Sequence, residues 1–257
     1  MKIALIGYGK MGHIIEDIAL KRGHEVVARI DIDNQADMGG EAFRSADVAI
    51  EFTTPKTALG NISKTLAAGV PVVVGTTGWY DKLEDVKAEV AASGGHLFYA
   101  TNFSVGVNIF QAVNRYLSRI MNGFGDYDVS MEETHHIHKL DSPSGTAITL
   151  ANTILGELDR KTGWMETAQV PDGKTLADVE AKTPKSDEMA ITAYRRGEVP
   201  GIHTVIWDSA VDTITLTHSA KSRAGFALGA VLAAEFLPNQ KPGVYNMSDL
   251  MPFMVEG

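Results

Sequence analysis

The densest chemistry in the chain lies in the run Glu133-Thr134-His135-His136-Ile137-His138-Lys139-Leu140-Asp141-Ser142-Pro143-Ser144-Gly145-Thr146. Three histidines and a lysine at positions 135–139 are hard to account for as packing. A solvated basic loop is the plain alternative. A metal site is a second, because His136 and His138 would point the same way on a strand. No carboxylate, however, is spaced along the chain to complete a ligand set with them, and a lysine in the cluster opposes a cation. No metal is expected. A site for a small dianion suits these residue types better. Lys139 and the histidines supply positive potential, while Ser144, Gly145 and Thr146 fall in the first turn of a helix, where free N–H groups and the dipole attract a carboxylate. A histidine in such a place is expected to titrate near neutral pH and to serve proton transfer.

A second set of residues could hold a dinucleotide. Gly7-Tyr8-Gly9-Lys10-Met11-Gly12 reads G-x-G-x-x-G and stands between a first strand and a first helix. There the glycines permit a tight turn and close approach of backbone to a pyrophosphate at the helix N-terminus. Asp31, at the end of the second strand, can accept hydrogen bonds from ribose hydroxyls. Lys10 is either a phosphate contact or a solvated lysine. Gly75-Thr76-Thr77-Gly78 and Ala100-Thr101-Asn102-Phe103 follow later strands, at the carboxyl ends where ligands bind in open α/β sheets. They read either as nicotinamide-ribose contacts or as ordinary turns. A nicotinamide cofactor together with proton donors near a carboxylate clamp implies hydride reduction of a polarised C=C or C=N bond.

The elements that must position these groups follow from periodicity. Met1–Gly7 is a buried strand, Lys10–Arg22 a helix and Glu25–Asp31 a second strand, which together make a βαβ unit. Strands at 46–52, 70–74 and 96–100 alternate with helices near 57–68 and 81–93, which predicts a parallel sheet covered on both faces. After Asn102 the character changes. A long helix is expected from Val105 to Met121, then a strand at 127–133. A further helix is expected from Pro143 to about Thr162, with Ser142 as its N-cap. Residues 163–187 read as a polar excursion. The segments 189–194, 203–207 and 213–218 read as an antiparallel meander, and 223–236 as an apolar helix ended by Pro238. The expectation is α/β: a Rossmann-type dinucleotide-binding domain over residues 1–102, completed by 223–257, and a second α+β domain over 103–222 built on an open mixed or antiparallel sheet. A one-sided sheet must cover its apolar face, and a partner subunit is a common cover.

Composition narrows the function further. Hydrophobic residues make up 44% and charged residues 21% of the 257, the balance of a soluble protein. No apolar run approaches the length of a membrane span. The N-terminal apolar stretch is broken by glycines and lacks a cleavage site, so a cytoplasmic location is expected. The absence of cysteine excludes disulfides, thiolate metal sites and a cysteine nucleophile. A net charge of −9 argues against a nucleic-acid partner.

The run ETHHIHKLDSPSGTA closely resembles the E-x-H-H-x-x-K-x-D-x-P-S-G-T-A signature of the dihydrodipicolinate reductases, also named 4-hydroxy-tetrahydrodipicolinate reductases. GYGKMG resembles that family's first glycine loop, VGTTG its second cofactor segment, and ATNFSVGVN the segment joining its domains. IHTVIWDSAVDTITLTHSAKSRAGFALGA is similar to its C-terminal sheet and returning helix, so the resemblance spans nearly the whole chain. It implies a cytoplasmic enzyme of lysine and diaminopimelate biosynthesis, a homotetramer built through the open sheet. It implies that His135 is the proton donor/acceptor, Lys139 the proton donor, and His136, Gly145 and Thr146 the contacts to substrate carboxylate. Gly7–Gly12, Asp31, Gly75–Thr77 and Ala100–Phe103 are implied as cofactor contacts. One departure is that the first loop is a residue shorter than the common G-x-G-G-R-M-G form.

Two other functions compete. A semialdehyde or amino-acid dehydrogenase shares the glycine loop, but the semialdehyde enzymes need a cysteine nucleophile that is absent. A non-catalytic dinucleotide sensor has no use for proton donors at a dianion clamp. For the cofactor, Asp31 suits the ribose hydroxyls of NADH and repels the 2′-phosphate of NADPH. Ile32 and Asp33 follow where NADPH users commonly carry an arginine, and Lys10 and Arg29 are the nearby cations. NADH is therefore expected to be used at least as well as NADPH.

Overall fold

The computed structural model describes residues 1–252; positions 253–257 of the expected C-terminal segment lie outside the described residues. The chain divides into two units, one comprising Met1–Asn108 with the chain from Arg223 onward, the other Ile109–Ser222.

In the first unit, β1 (Lys2–Ile6), α1 (Lys10–Lys21) and β2 (Glu25–Ile30) form the expected βαβ unit. A 3-10 segment (Ile32–Gly39) and the short α2 (Glu41–Arg44) come next. They lead into β3 (Val48–Glu51), α3 (Pro55–Ala67), β4 (Val72–Val74), α4 (Leu83–Ser93) and β5 (His96–Tyr99). β1 and β3 are fully buried apart from Lys2, as strands packed on both faces must be. The chain returns after residue 223 with α7 (Ala224–Phe236), β11 (Gly243–Tyr245) and α8 (Met247–Leu250), the labels α5, α6 and β6–β10 belonging to the intervening segments given next. β11 adds a sixth parallel strand beside β5, giving the order β11-β5-β4-β3-β1-β2. Three residues are too few to show a period, so the sequence did not reveal this strand. Ala227, Ala230, Val231 and Ala234 of α7 join Ile15 and Ala19 of α1 in one core on the sheet. These small side chains let helix and sheet approach closely; a Cβ on Gly229 would lie 1.8 Å from the Phe103 carbonyl oxygen.

The second unit contains most of α5 (Val105–Asn122), then β6 (Asp128–His135), α6 (Gly145–Glu157), β7 (Gly163–Val170), β8 (Glu188–Arg195), β9 (Ile202–Asp208) and β10 (Thr213–Ser219). The order is β10-β9-β6-β8-β7, with β6, β8 and β7 parallel, β9 antiparallel to β6, and β10 antiparallel to β9. The expected meander holds for β9 and β10, which pair antiparallel, and is corrected for β8, which runs parallel to β6. β8 and β9 do not pair; they flank β6, whose backbone N–H and C=O groups on both edges need partners. The polar excursion is corrected too: residues 163–170 are an edge strand whose first half is only partly buried, which hides its alternation.

The helix after the histidine run also begins later and ends earlier than expected. Ser144, not Ser142, is the N-cap, its Oγ accepting from Ala147 N at 3.2 Å. Pro143 precedes the helix, after a cis Ser142–Pro143 peptide. Phe110 and Met121 of α5 and Leu150, Ala151 and Ile154 of α6 pack on Val129, Met131, Met189, Ile191, Val205 and Trp207. The apolar face of this sheet is therefore covered from within the chain. The opposite face carries mainly hydroxyl side chains, and Thr204 and Thr217 hydrogen-bond across β9 and β10 at 3.1 Å. Among the described residues, the apolar face read from the sequence as needing a cover is the one that α5 and α6 pack.

Candidate active site

The buried row of the second sheet changes character along its length. On β6 the inward positions are Val129, Met131, Glu133 and His135. Pairing sets Val129 beside Trp207 and Met131 beside Val205 and Ile191, all apolar. Further along, Glu133 meets His203 and His135 meets Arg195. One end of the row is core and the other is chemistry, with the two-residue strand period alone placing four polar groups on one face.

Glu133 has no exposed surface. Its two oxygens accept the Ser144 N–H at 3.1 and 3.0 Å, which ties the start of α6 to the sheet. His135 Nδ1 lies 3.6 Å from this carboxylate, Arg195 3.7 Å and His203 Nε2 3.7 Å. His203 Nε2 is also 3.0 Å from Ser144 Oγ, and Arg195 donates to the Asp141 carbonyl at 2.9 Å. The loop of residues 136–144 is thus held at several points by groups from other strands. Gly201 (φ +155°) lies against His135, and a Cβ there would stand 3.1 Å from Nε2.

The surroundings decide protonation. Burial, reinforced by Lys139 and Arg195, pushes His135 down to about 4. Burial pushes His203 down to about 3. The expectation that a histidine here titrates near neutrality is therefore corrected. The cause is desolvation, which the linear sequence does not display. Lys139, whose side chain is 18% exposed, is gripped by both oxygens of Asp141 at 2.8 Å. That ammonium holds the Asp141 carboxyl below the usual range. His136 is half-buried, while His138 is exposed and faces Glu198 at 3.0 Å. Gly145 and Thr146 open α6, and the first N–H groups of a helix have no acceptor within it. The structure sets Lys139 close enough to His135 to act on its charge and ties His135 to the start of α6 through Glu133 and Ser144, while His138 is exposed.

Ser144, expected in the first turn with a free N–H, is instead the N-cap with its N–H held by Glu133, while Glu133, Arg195 and His203 were not singled out as site residues. Glu133 lies inside the quoted run. The others come from distant strands and carry no local signal beyond a polar side chain at an inward position. Glu133, His135 and His203 could each offer a ligand atom within 4.8 Å of one another. His136 and His138, the pair weighed as ligands from the sequence, are not among them. The carboxylate of this trio already has the Arg195 guanidinium and the Ser144 N–H as partners, which opposes a cation there.

The first unit presents a separate site. Gly7 (φ +92°) closes the turn after β1, and a Cβ on Gly12 would lie 2.4 Å from the Gly7 oxygen. Gly9 is the N-cap of α1 with open space around its Cα, and the first turn of the helix carries no acid. This cradle fits a pyrophosphate. Beside it lies a cavity of about 240 Å³ lined by Met11, Phe52, Thr53, Pro55, Gly75, Thr76 and Thr77. Thr76 is buried and accepts the Thr53 N–H at 2.7 Å, and a Cβ on Gly75 would collide with the Phe52 ring. Behind them Glu51, fully buried and raised by burial, bonds Thr53 and Asn61, a support that the sequence did not signal. Of the third segment, Ala100 and Phe103 are core residues, and Thr101 is exposed. Asn102 caps the next turn, its Oδ1 accepting from Ser104 N at 2.8 Å. Lys10 and Asp31 are exposed, with Asp31 capping Ile32 at 2.9 Å. Arg29 instead turns to Glu16.

Residues 1–103 match the family model for the N-terminus of dihydrodipicolinate reductase, and residues 106–251 match the model for its C-terminus. The chain belongs to the dihydrodipicolinate reductase family. A 4-hydroxy-tetrahydrodipicolinate reductase of Christiangramia forsetii is 43% identical over 252 residues, covering 98% of each chain. One from Archaeoglobus fulgidus is 36% identical over 98% of this chain and all of its own. A dipicolinate-bound dihydrodipicolinate reductase from Paenisporosarcina sp. TG-14 superposes with a TM-score of 0.74. It covers 98% of this chain and 99% of its own at 20% identity, a likeness of fold.

Proposed function

We propose that this chain reduces 4-hydroxy-tetrahydrodipicolinate, by way of dihydrodipicolinate, to tetrahydrodipicolinate in lysine and diaminopimelate biosynthesis. The observation that carries the reading is the polar end of the second sheet. A buried imidazole and an ammonium stand beside a helix start whose N–H groups lack acceptors, in a chain that its family matches from end to end.

Gly145 and Thr146 bind one carboxylate of the substrate through the first N–H groups of α6 and the Thr146 hydroxyl, and His136 approaches the same group. Glu133 orients that helix start by holding the Ser144 N–H. His135, neutral in the free protein, donates a hydrogen bond to the ring. Lys139 delivers the proton to the ring atom that receives the electron pair, and Asp141 aims the ammonium until then. Gly7–Gly12, Asp31, Gly75–Thr77 and Thr101–Asn102 would hold NADH or NADPH, which when bound supplies the hydride. Ala100 and Phe103 contribute through backbone only. Residues 1–102 with the returning segment are thus the cofactor domain, and 103–222 the substrate-binding and oligomerisation domain of a cytoplasmic homotetramer. NADH serves at least as well as NADPH, since the carboxylate of Asp31 at the end of β2 suits ribose hydroxyls and, with Asp33 close behind it in the chain, repels a 2′-phosphate.

The test is consumption of NADH, followed by its near-ultraviolet absorbance, with enzymatically generated substrate. Turnover that dipicolinate inhibits competitively is the expected result. The absence of both turnover and dipicolinate binding would overturn the reading.

A further inference from the structure

Arg29 stands two residues before Asp31, whose backbone is extended (φ −136°, ψ −168°), so both side chains leave β2 on the same side. A guanidinium there has the chemistry to receive a phosphate. It is otherwise engaged. Its Nε lies 3.0 and 3.1 Å from the two oxygens of Glu16 on α1, and a terminal N–H makes a further close bond to the same carboxylate. Glu16 is only 9% exposed and also accepts the hydroxyl of Tyr8, a residue of the glycine loop. The guanidinium carbon sits 5.8 Å from the centre of the Tyr8 ring. Arg29 holds the Glu16 carboxyl below the usual carboxylate range. The arginine side chain nevertheless remains 43% exposed, so no buried surface bars it from turning toward solvent.

We propose that Glu16 is a specificity-determining residue that withholds Arg29 from the 2′-phosphate of NADPH, leaving Asp31 to select the free ribose hydroxyls of NADH. The inference rests on the reading of the first unit as a nicotinamide-dinucleotide domain. To meet a phosphate, Arg29 must abandon a two-toothed ion pair and leave a nearly buried carboxylate short of its partner, which is costly. While the pair holds, its charges cancel, and the phosphate meets Asp31 and Asp33. Lys10 stays in place throughout and cancels from any comparison of variants.

The experiment is calorimetric titration of NADH and NADPH at one fixed salt concentration, on wild type, Glu16→Gln, Arg29→Met and the double variant. Glu16→Gln keeps the shape and frees the guanidinium. Affinity for NADPH relative to NADH should rise about tenfold, the scale of a bond to a charged group, and kcat/KM should follow. The double variant should lose the gain. Arg29→Met alone should leave the ratio within about threefold, as for a cation already neutralised. An unchanged ratio in Glu16→Gln overturns the proposal, as does selective loss of NADPH affinity in Arg29→Met alone. If Glu16→Gln shows no cooperative thermal transition, the single arginine variant still decides. Wild-type protein that binds neither cofactor overturns the dinucleotide reading instead, a distinct result.

Discussion

Above about pH 4, His135 is a neutral imidazole, because burial and the charges of Lys139 and Arg195 oppose its protonation. On the proposed mechanism the acid is then Lys139. Lys139→Ala should lower kcat by about 10²–10⁴-fold, the range for a general acid, with cofactor affinity unchanged in the same titrations; near-normal turnover would remove the lysine from the mechanism. The depressed histidines also make a claim about stability. A group whose folded pKa lies below its ordinary value of 6.5 stabilises the fold above that value. The contribution fades as pH falls toward about 4 for His135 and about 3 for His203. Thermal denaturation should therefore show Tm falling from about pH 6.5 downward, and His203→Gln should shallow that fall. An equally steep fall in the variant would place the acid sensitivity elsewhere.

At the scale of elements, α6 and β6 act as one piece. The Ser144 N–H enters the Glu133 carboxylate and Ser144 Oγ caps Ala147, so the helix start is pinned while Gly145 and Thr146 keep their N–H groups free. Thr146→Val preserves shape and removes one hydroxyl. The loss of one hydrogen bond of about 0.5–1.5 kcal/mol should raise KM roughly two- to tenfold. The fall in kcat should be smaller, because the carboxylate is held alike in ground and transition states. Steady-state kinetics decides this; a fall in kcat with KM unchanged would move Thr146 from the clamp to the reacting atoms.

For the whole molecule, one face of the second sheet is rich in threonine, and α5 carries a row of exposed apolar side chains. Ile109, Val113, Tyr116 and Ile120 follow helical spacing there and are 43–61% exposed. Such a stripe is a candidate for burial in assembly. Light scattering at micromolar concentration should give four times the chain mass. A monomer would contradict the assembly that the family resemblance implies.

The βαβ start, the glycine loop and the histidine–lysine run were all legible in the sequence, because each is local. Strand and helix periods show in a few residues, and a helix start is announced by its flanking turn. Order among the strands of the second unit was not legible, since β6 takes its partners from segments more than 50 residues away. The same reason hid Arg195 and His203, whose meeting with Glu133 is a matter of register. It also hid the state of His135, set by desolvation in the folded chain. The sequence by itself determined which chemical groups the protein owns and the elements that carry them. Only the tertiary structure decided which groups are buried together and which charges neutralise one another, because both depend on contacts between segments far apart in the chain.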